Sequence, residues 1–212
     1  MRAGRLHWQG TELTLLPERG VWLPASRVLL VADLHLGKAE SFQTSGIPLP
    51  SDGDLGNLNQ LLELSTALQP ERVMVLGDLI HSRCGLTTEL RAKIAALPEL
   101  MGCALELVGG NHDQGSWLEG LQAGPSRRLD NLWLSHEPCT PSDPQLLNVA
   151  GHVHPVAVLG GAADRLRLPC FALNNAARHL LLPAFGALTG GYVVSPEHQR
   201  WVIADAHVLA VP

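Results

Sequence analysis

Paired cysteines are missing from this chain. Cys84, Cys103, Cys139 and Cys170 form no C-x-x-C motif, which excludes a zinc ribbon or a thioredoxin-type centre and leaves free thiols in a reducing compartment as the expectation. No apolar run reaches eighteen residues, so no membrane-spanning helix is expected. Met1 to Gly10 carries two arginines with no apolar run behind them, so no export signal is expected and the cytoplasm is the default location. Charged residues are only 17% of the chain, too few for a disordered or coiled-coil protein. Net positive charge is absent too: the formal net charge is −5, so no global basic field draws nucleic acid, and such a role would need a local patch or a metal site.

What is present suits one globular domain. The chain has 212 residues and is 46% hydrophobic, enough for a large core between two packed sheets. Short apolar pieces at 6–8, 13–16 and 21–23, broken by Gly and Pro, predict an antiparallel entry to a sheet. Buried strands are expected at 27–32, 73–76 and 103–108, alternating with helices at 51–68, where leucines recur at helical spacing, and at 87–96. From residue 132 onward the pattern is mostly strand, at 132–134, 146–150, 156–159, 165–173, 178–182, 190–194 and 200–203. No internal repeat or linker divides the chain, so a single domain over 1–212 is expected.

Five of these strands share an ending. Each runs within three residues into groups that bind metal: Asp33 and His35; Asp78, after Gly77; Asn111 and His112; His136; and His152 and His154. Singly, each has an ordinary explanation. Asp33 and Asp78 could cap turns, Asn111 and Asp113 are turn formers, and a lone His136 or His152 fits a core or a surface. Jointly the recurrence points to a site where strand ends converge, as open α/β sheets place their chemistry. Mixed carboxylate, amide and imidazole donors suit Mn²⁺, Fe²⁺ or Zn²⁺. Seven donors exceed what one ion needs and suit two ions sharing a carboxylate. The lack of thiolates argues against a structural zinc site.

In this order, Asp-x-His, Gly-Asp, Gly-Asn-His-Asp, Ser-His-Glu-Pro and Gly-His-x-His resemble the calcineurin-like metallophosphoesterase superfamily. The resemblance implies an α/β fold, a four-layer α/β/β/α sandwich of two mixed sheets. It implies that Asp33, His35, Asp78 and His154 hold one metal, that Asp78 bridges, and that Asn111, His136 and His152 complete the ligand set of the second metal. Mn²⁺ is the expected ion, with Fe²⁺ or Zn²⁺ as alternatives. His112 would be the general acid and Asp113 would tune it, although His112 could instead only orient a ligand. At the last position of the family's Gly-Asp-x-x-Asp motif this chain has His81, whose role the pattern leaves open.

A closer resemblance runs nearly end to end, through 33–38, 77–83, 135–138, 168–171, 182–186 and 189–191. It is to the bacterial subgroup of ligase-associated DNA damage response endonucleases. It implies a phosphodiesterase cutting DNA in repair, associated with a DNA ligase and a helicase. Lys38, Arg83 and Arg178 are candidate phosphate contacts. The short 136–152 connection leaves no room for a large cap, so an open site is expected, suited to a polymer strand or small diester. The alternatives are a small- or cyclic-nucleotide phosphodiesterase, a general phosphatase, or a non-catalytic scaffold, the last disfavoured by the complete ligand set. Apolar C-terminal strands (Val193-Val194, Val202-Ile203, Val208-Leu209) could pair within the fold or across a homodimer.

Overall fold

The strand Val28–Val31 shows how the chain is layered. All four residues are buried, but to opposite sides, because side chains alternate across a strand. Val28 and Leu30 enter a core shared with the second sheet, while Leu29 and Val31 enter a core shared with the helices. A strand covered on both faces is apolar throughout, and that continuous run is what its sequence displays.

The computed structural model describes residues 3–50, 53–113, 120–161 and 165–211. In chain order the first sheet contains β1 (Gly4–Trp8), β2 (Thr11–Leu15), β3 (Val21–Leu23), β4 (Val28–Val31), β5 (Arg72–Leu76), β6 (Ala104–Val108) and β7 (Ala123–Gly124). The strands lie side by side in that order, antiparallel from β1 to β4 and parallel from β4 to β7. The helices α1 (Lys38–Thr44), α2 (Gly53–Leu68) and α3 (Thr88–Met101) belong to the connections between the parallel strands. Leu58, Leu61 and Leu64 of α2 and Leu90, Ile94 and Leu97 of α3 pack on the outer face of this sheet.

The second sheet contains β8 (Arg127–Leu129), β9 (Leu132–Ser135), β10 (Leu147–Ala150), β11 (Pro155–Gly160), β12 (Arg165–Asn174), β13 (His179–Leu181), β14 (Tyr192–Val193), β15 (Gln199–Ala204) and β16 (His207–Val211). It is mixed: β10 runs parallel to β9 and β13, β11 parallel to β14, and the other pairings are antiparallel. Its inner face brings Leu132, Leu147, Val149, Phe171, Leu173 and Leu180 against the first sheet. Its outer face presents the small side chains Ala157, Cys170 and Ala172, with Val194 packed on them. Leu181 and Val202 complete that cluster, and among the described residues no helix lies there. The C-terminal strands pair within the chain, β15 with β12 and β16.

Four elements depart from the sequence expectation: the short strands β7 and β8, which were not expected, and two of the helices. α1 was not expected, since only Ala39 of its seven residues is buried and so it shows no apolar period. α3 continues five residues past Ala96, through Pro98. It ends where Gly102, at φ +66°, donates its N–H to Glu99 and the Cys103 N–H returns to the Pro98 carbonyl, the αL glycine closure that satisfies the last carbonyls. The first two residues of the helix expected over 51–68 lie outside the described residues.

Register sets the position of the site. Val31 lies opposite Val75, and Leu76 opposite Val108, so β4, β5 and β6 finish within about a residue of one another. In the second sheet Ala150 is level with both Ser135 and Leu181. These two edges face each other: the His136 ring donates through Nδ1 to the Leu76 carbonyl at 3.1 Å, and the Phe185 N–H reaches the Ala32 carbonyl at 2.8 Å.

Candidate active site

The seven donors predicted from five strand ends lie in one cluster. His35 Nε2 is 3.4 Å from His154 Nε2 and 3.8 Å from Asp78 Oδ2, and His154 Nε2 is 3.4 Å from Asp33 Oδ1. On the other side of Asp78, His136 Nε2 is 3.5 Å from Asp78 Oδ2, 2.8 Å from Asn111 Oδ1 and 3.0 Å from His152 Nδ1. Three groupings of possible metal ligands result: Asp33/His35/His154, Asp78/His136/His152 and, at the mouth, His35/His81/His112.

The backbone at this edge is strained. Asp33, His35, Asp78, His152 and His154 all have φ between +48° and +66°, the left-handed region that costs a non-glycine residue about 1 kcal/mol. Backbone bonds hold the turns in that shape: Asp33 N–H to the Gly77 carbonyl, His35 N–H to Asp78, and His81 N–H to Leu36. Three glycines let the carboxylates approach. A Cβ on Gly77 would enter the His136 ring, one on Gly110 would meet the Asp78 carboxylate, and one on Gly151 would lie 2.5 Å from Asp33 Oδ2.

Hydrogen bonding decides which atoms face inward. Each carboxylate accepts a backbone N–H: Asp33 from His152 at 2.9 Å and Asp78 from His112 at 3.0 Å. Because His136 donates through Nδ1 to the Leu76 carbonyl, Nε2 is the ring atom turned toward Asn111 Oδ1, His152 and Asp78. Acceptors at 2.8–3.5 Å around His136 Nε2, among them Asp78 at 2% exposure, form a donor set that a cation satisfies. His35 is held neutral, its pKa lowered to about 2 by burial first and then by His154, His112, Lys38 and His81. Burial likewise lowers His81 and, on the rim, Lys38. Neutral imidazole is the metal-binding form. The residues present therefore fit two divalent ions.

His112 lies at the mouth, with Nδ1–H donated to the His81 carbonyl at 2.6 Å and Nε2 4.0 Å from Asp78 Oδ2. Asp113 is not on that ring. Its carboxylate accepts the Gly110 N–H at 3.0 Å and the Ile80 N–H at 3.4 Å, so it clamps the turn that carries Asn111 and His112. Burial raises its pKa, against these two hydrogen bonds. The His81 ring is stacked between His112 and Phe42, with centroids at 5.2 and 6.0 Å. Phe42 was invisible as a site neighbour because α1 itself was.

Of the three expected phosphate contacts, Lys38 begins α1 close enough to His35 and His81 to oppose their protonation. Arg83 is exposed in the 3₁₀ turn Arg83–Gly85, two residues beyond His81. Arg178 lies elsewhere: it precedes β13, its carbonyl accepts Asn148 N–H at the start of β10, and its guanidinium bonds the Pro141 carbonyl. That is the opposite end of the strands that carry His152, and the positive charge alone gave no sign of it.

A mixed-sheet sandwich with clustered carboxylates and imidazoles at its edge defines a metal-dependent phosphoesterase. The chain belongs to the calcineurin-like phosphoesterase family, whose model matches residues 26–208. Among solved structures it is similar to Pseudomonas putida nuclease MPE, at 32% identity over 99% of this chain and 100% of that one, with a TM-score of 0.82. It is less similar to YfcE, a phosphoesterase from E. coli, at 17% identity over 86% of this chain and 96% of that one, with a TM-score of 0.47. No curated protein matches the chain in sequence.

Proposed function

We propose that this phosphoesterase is a dinuclear phosphodiesterase that cuts nucleic acid, DNA first among its substrates, as an endonuclease of DNA repair. The observation that carries the reading is the shape of the site. The cluster opens on both flanks, into a cleft of about 440 Å³ beside His154 and another of about 380 Å³ beside Asn111 and His136. A strand can enter by one and leave by the other, whereas a small monoester needs neither. The likeness to a nuclease at 32% identity over the whole chain supports the same reading.

In this reading Asp33, His35, Asp78 and His154 hold one divalent ion. Asp78, Asn111, His136 and His152 hold the other, with Mn²⁺ preferred and Fe²⁺ or Zn²⁺ compatible with the donors. Ions held by these residues would supply Lewis acidity, for activation of water and for neutralising charge on the phosphoryl group. The chain supplies the rest. The His81 carbonyl fixes the His112 ring, leaving Nε2 as the atom that passes a proton to the leaving oxygen. Asp113 holds the turn that aims it, and Lys38 and Arg83 bring positive charge to the rim. A place in a cytoplasmic repair pathway with a ligase and a helicase follows from the subgroup's end-to-end motifs.

Purified protein should contain about two divalent ions per chain, nick supercoiled DNA and prefer a chromogenic diester to a monoester. Asp78→Ala should lose both ions and all nicking. His112→Ala should keep both ions while kcat falls roughly 10²–10⁴-fold, the range for a positioned general acid. Hydrolysis of the monoester without cleavage of diester or DNA would favour a general phosphatase. A small diester cut without DNA would favour a nucleotide phosphodiesterase.

A further inference from the structure

The 184–191 segment packs against two of the ligand-bearing turns. Phe185 and Gly186 donate N–H groups to the Ala32 and Asp33 carbonyls, and Tyr192 N–H returns to the His154 carbonyl at 2.9 Å. A Cβ on Gly186 would enter the Leu34 backbone, and one on Gly191 would lie 2.8 Å from the His154 carbonyl. The Ala187 N–H is held at 3.1 Å by Asn57 of α2. This backbone is therefore fixed against the cluster.

Two arginines from distant parts of the chain converge on it. Arg19, from the β2–β3 turn, reaches the Ala184 and Gly186 carbonyls at 3.3 and 3.5 Å. Arg167, from β12, donates to the Gly191 carbonyl. Both line the cleft that contains His154, together with Thr189, whose Oγ1 is buried without a hydrogen-bond partner. Among the described residues neither arginine is ion-paired, although Arg27, Arg72, Arg127 and Arg128 all are. Burial of Arg19 lowers its pKa, so a guanidinium is being desolvated with no carboxylate to compensate it. In a chain of net charge −5, two unpaired guanidiniums beside the cluster ask for an anion from outside.

We propose that the cleft walled by Arg19, Arg167 and the 184–191 segment binds a phosphodiester group of the substrate strand next to the one being cut. It therefore sets the enzyme's preference for a polymer over a small diester. The proposal rests on the nucleic-acid reading above. Carbonyl anchors at 184, 186 and 191 hold the two guanidiniums in place before the strand arrives, so little side-chain freedom is lost on binding. Guanidinium forks match phosphate oxygens in pairs. The ions would meet the scissile group, and the arginines its neighbour on the His154 side. Among the described residues, no arginine or lysine lines the cleft beside Asn111 and His136, so the held phosphate lies to one side only.

The experiment compares wild type, Arg167→Ala and Arg27→Ala, two exposed sites with the same loss of charge. Arg27 is the control, at the end of β4 away from the cluster. Binding of a fluorescent single-stranded oligonucleotide, measured by anisotropy after chelation of metal, should weaken about tenfold in Arg167→Ala, and its salt slope should fall by about one. The ratio of kcat/KM on an oligonucleotide to that on a chromogenic diester should fall about tenfold as well. Arg27→Ala should match wild type in all three. Arg167→Ala indistinguishable from Arg27→Ala on an oligonucleotide that wild type cuts overturns the subsite alone. Wild type that hydrolyses the small diester but neither binds nor cuts the oligonucleotide overturns the nucleic-acid reading, and the subsite with it.

Discussion

At the scale of single residues, the site depends as much on missing side chains as on those that donate. Gly77 has φ +81°, and a Cβ there would enter the His136 ring. His136 is 4% exposed and tied to the Leu76 carbonyl, so it has no open space to retreat into. Gly77→Ala should therefore displace His136 from Asn111 and His152, bringing metal content from about two ions per chain toward one. Activity should fall on the order of 10²-fold, the cost of misplacing a catalytic group by about 1 Å. Metal analysis with parallel diester kinetics checks this, and a variant with full metal and wild-type rate would show that the ring yields without cost. The donors themselves were legible, because each follows an apolar strand by four residues or fewer. Arg19 and Arg167 were not. They stand almost 150 residues apart in the chain, and nothing local to either marks the cleft they share.

At the scale of elements, the strands that position the site were legible, because burial on both faces leaves runs such as Val28–Val31 and Val73–Leu76 without a polar residue. α1 was not, because tertiary contacts hold it rather than an apolar stripe. One of those contacts is testable. Asp54 in the first turn of α2 accepts the Gly37 N–H at 2.6 Å, just ahead of α1. Its pKa is raised to about 6, by burial first, with the Gly37 hydrogen bond opposing, Glu40 raising and Lys93 lowering it. A carboxyl whose folded pKa lies above its unfolded value stabilises most when protonated, below about pH 4, and that contribution is lost as pH rises to about 6. Asp54→Asn keeps an acceptor for Gly37 and cannot ionise. Its stability relative to wild type should rise across that window, by roughly 2 kcal/mol, and stay level above it. Urea melts of both proteins at about pH 4.5 and about pH 7.5 measure the difference, and an equal gap at the two would refute a buried, titrating Asp54.

At the scale of the whole molecule, the two sheets meet at an edge where both Asp33 and Asp78 are almost fully buried, at 0% and 2% exposure. Burying carboxylates together is costly without a counter-charge, and five left-handed residues in three turns add strain at the same place. Two divalent ions would offset both costs and would move the formal net charge from −5 to about −1. An acidic protein could then meet a polyanion through a local cationic centre while its remaining surface stays acidic. Ions that bind only the folded chain stabilise it by roughly 3–4 kcal/mol at 100 to 1,000 times their Kd. For a chain of this size that is on the order of 10 °C in Tm. Chelation should lower Tm by about that much, and Mn²⁺ should restore it in a concentration-dependent way. Asp78→Ala, with one of the two buried carboxylates of the cluster gone, should respond to neither chelator nor Mn²⁺. A wild-type Tm indifferent to chelation in protein shown to have lost its metal would mean that packing alone holds the edge together.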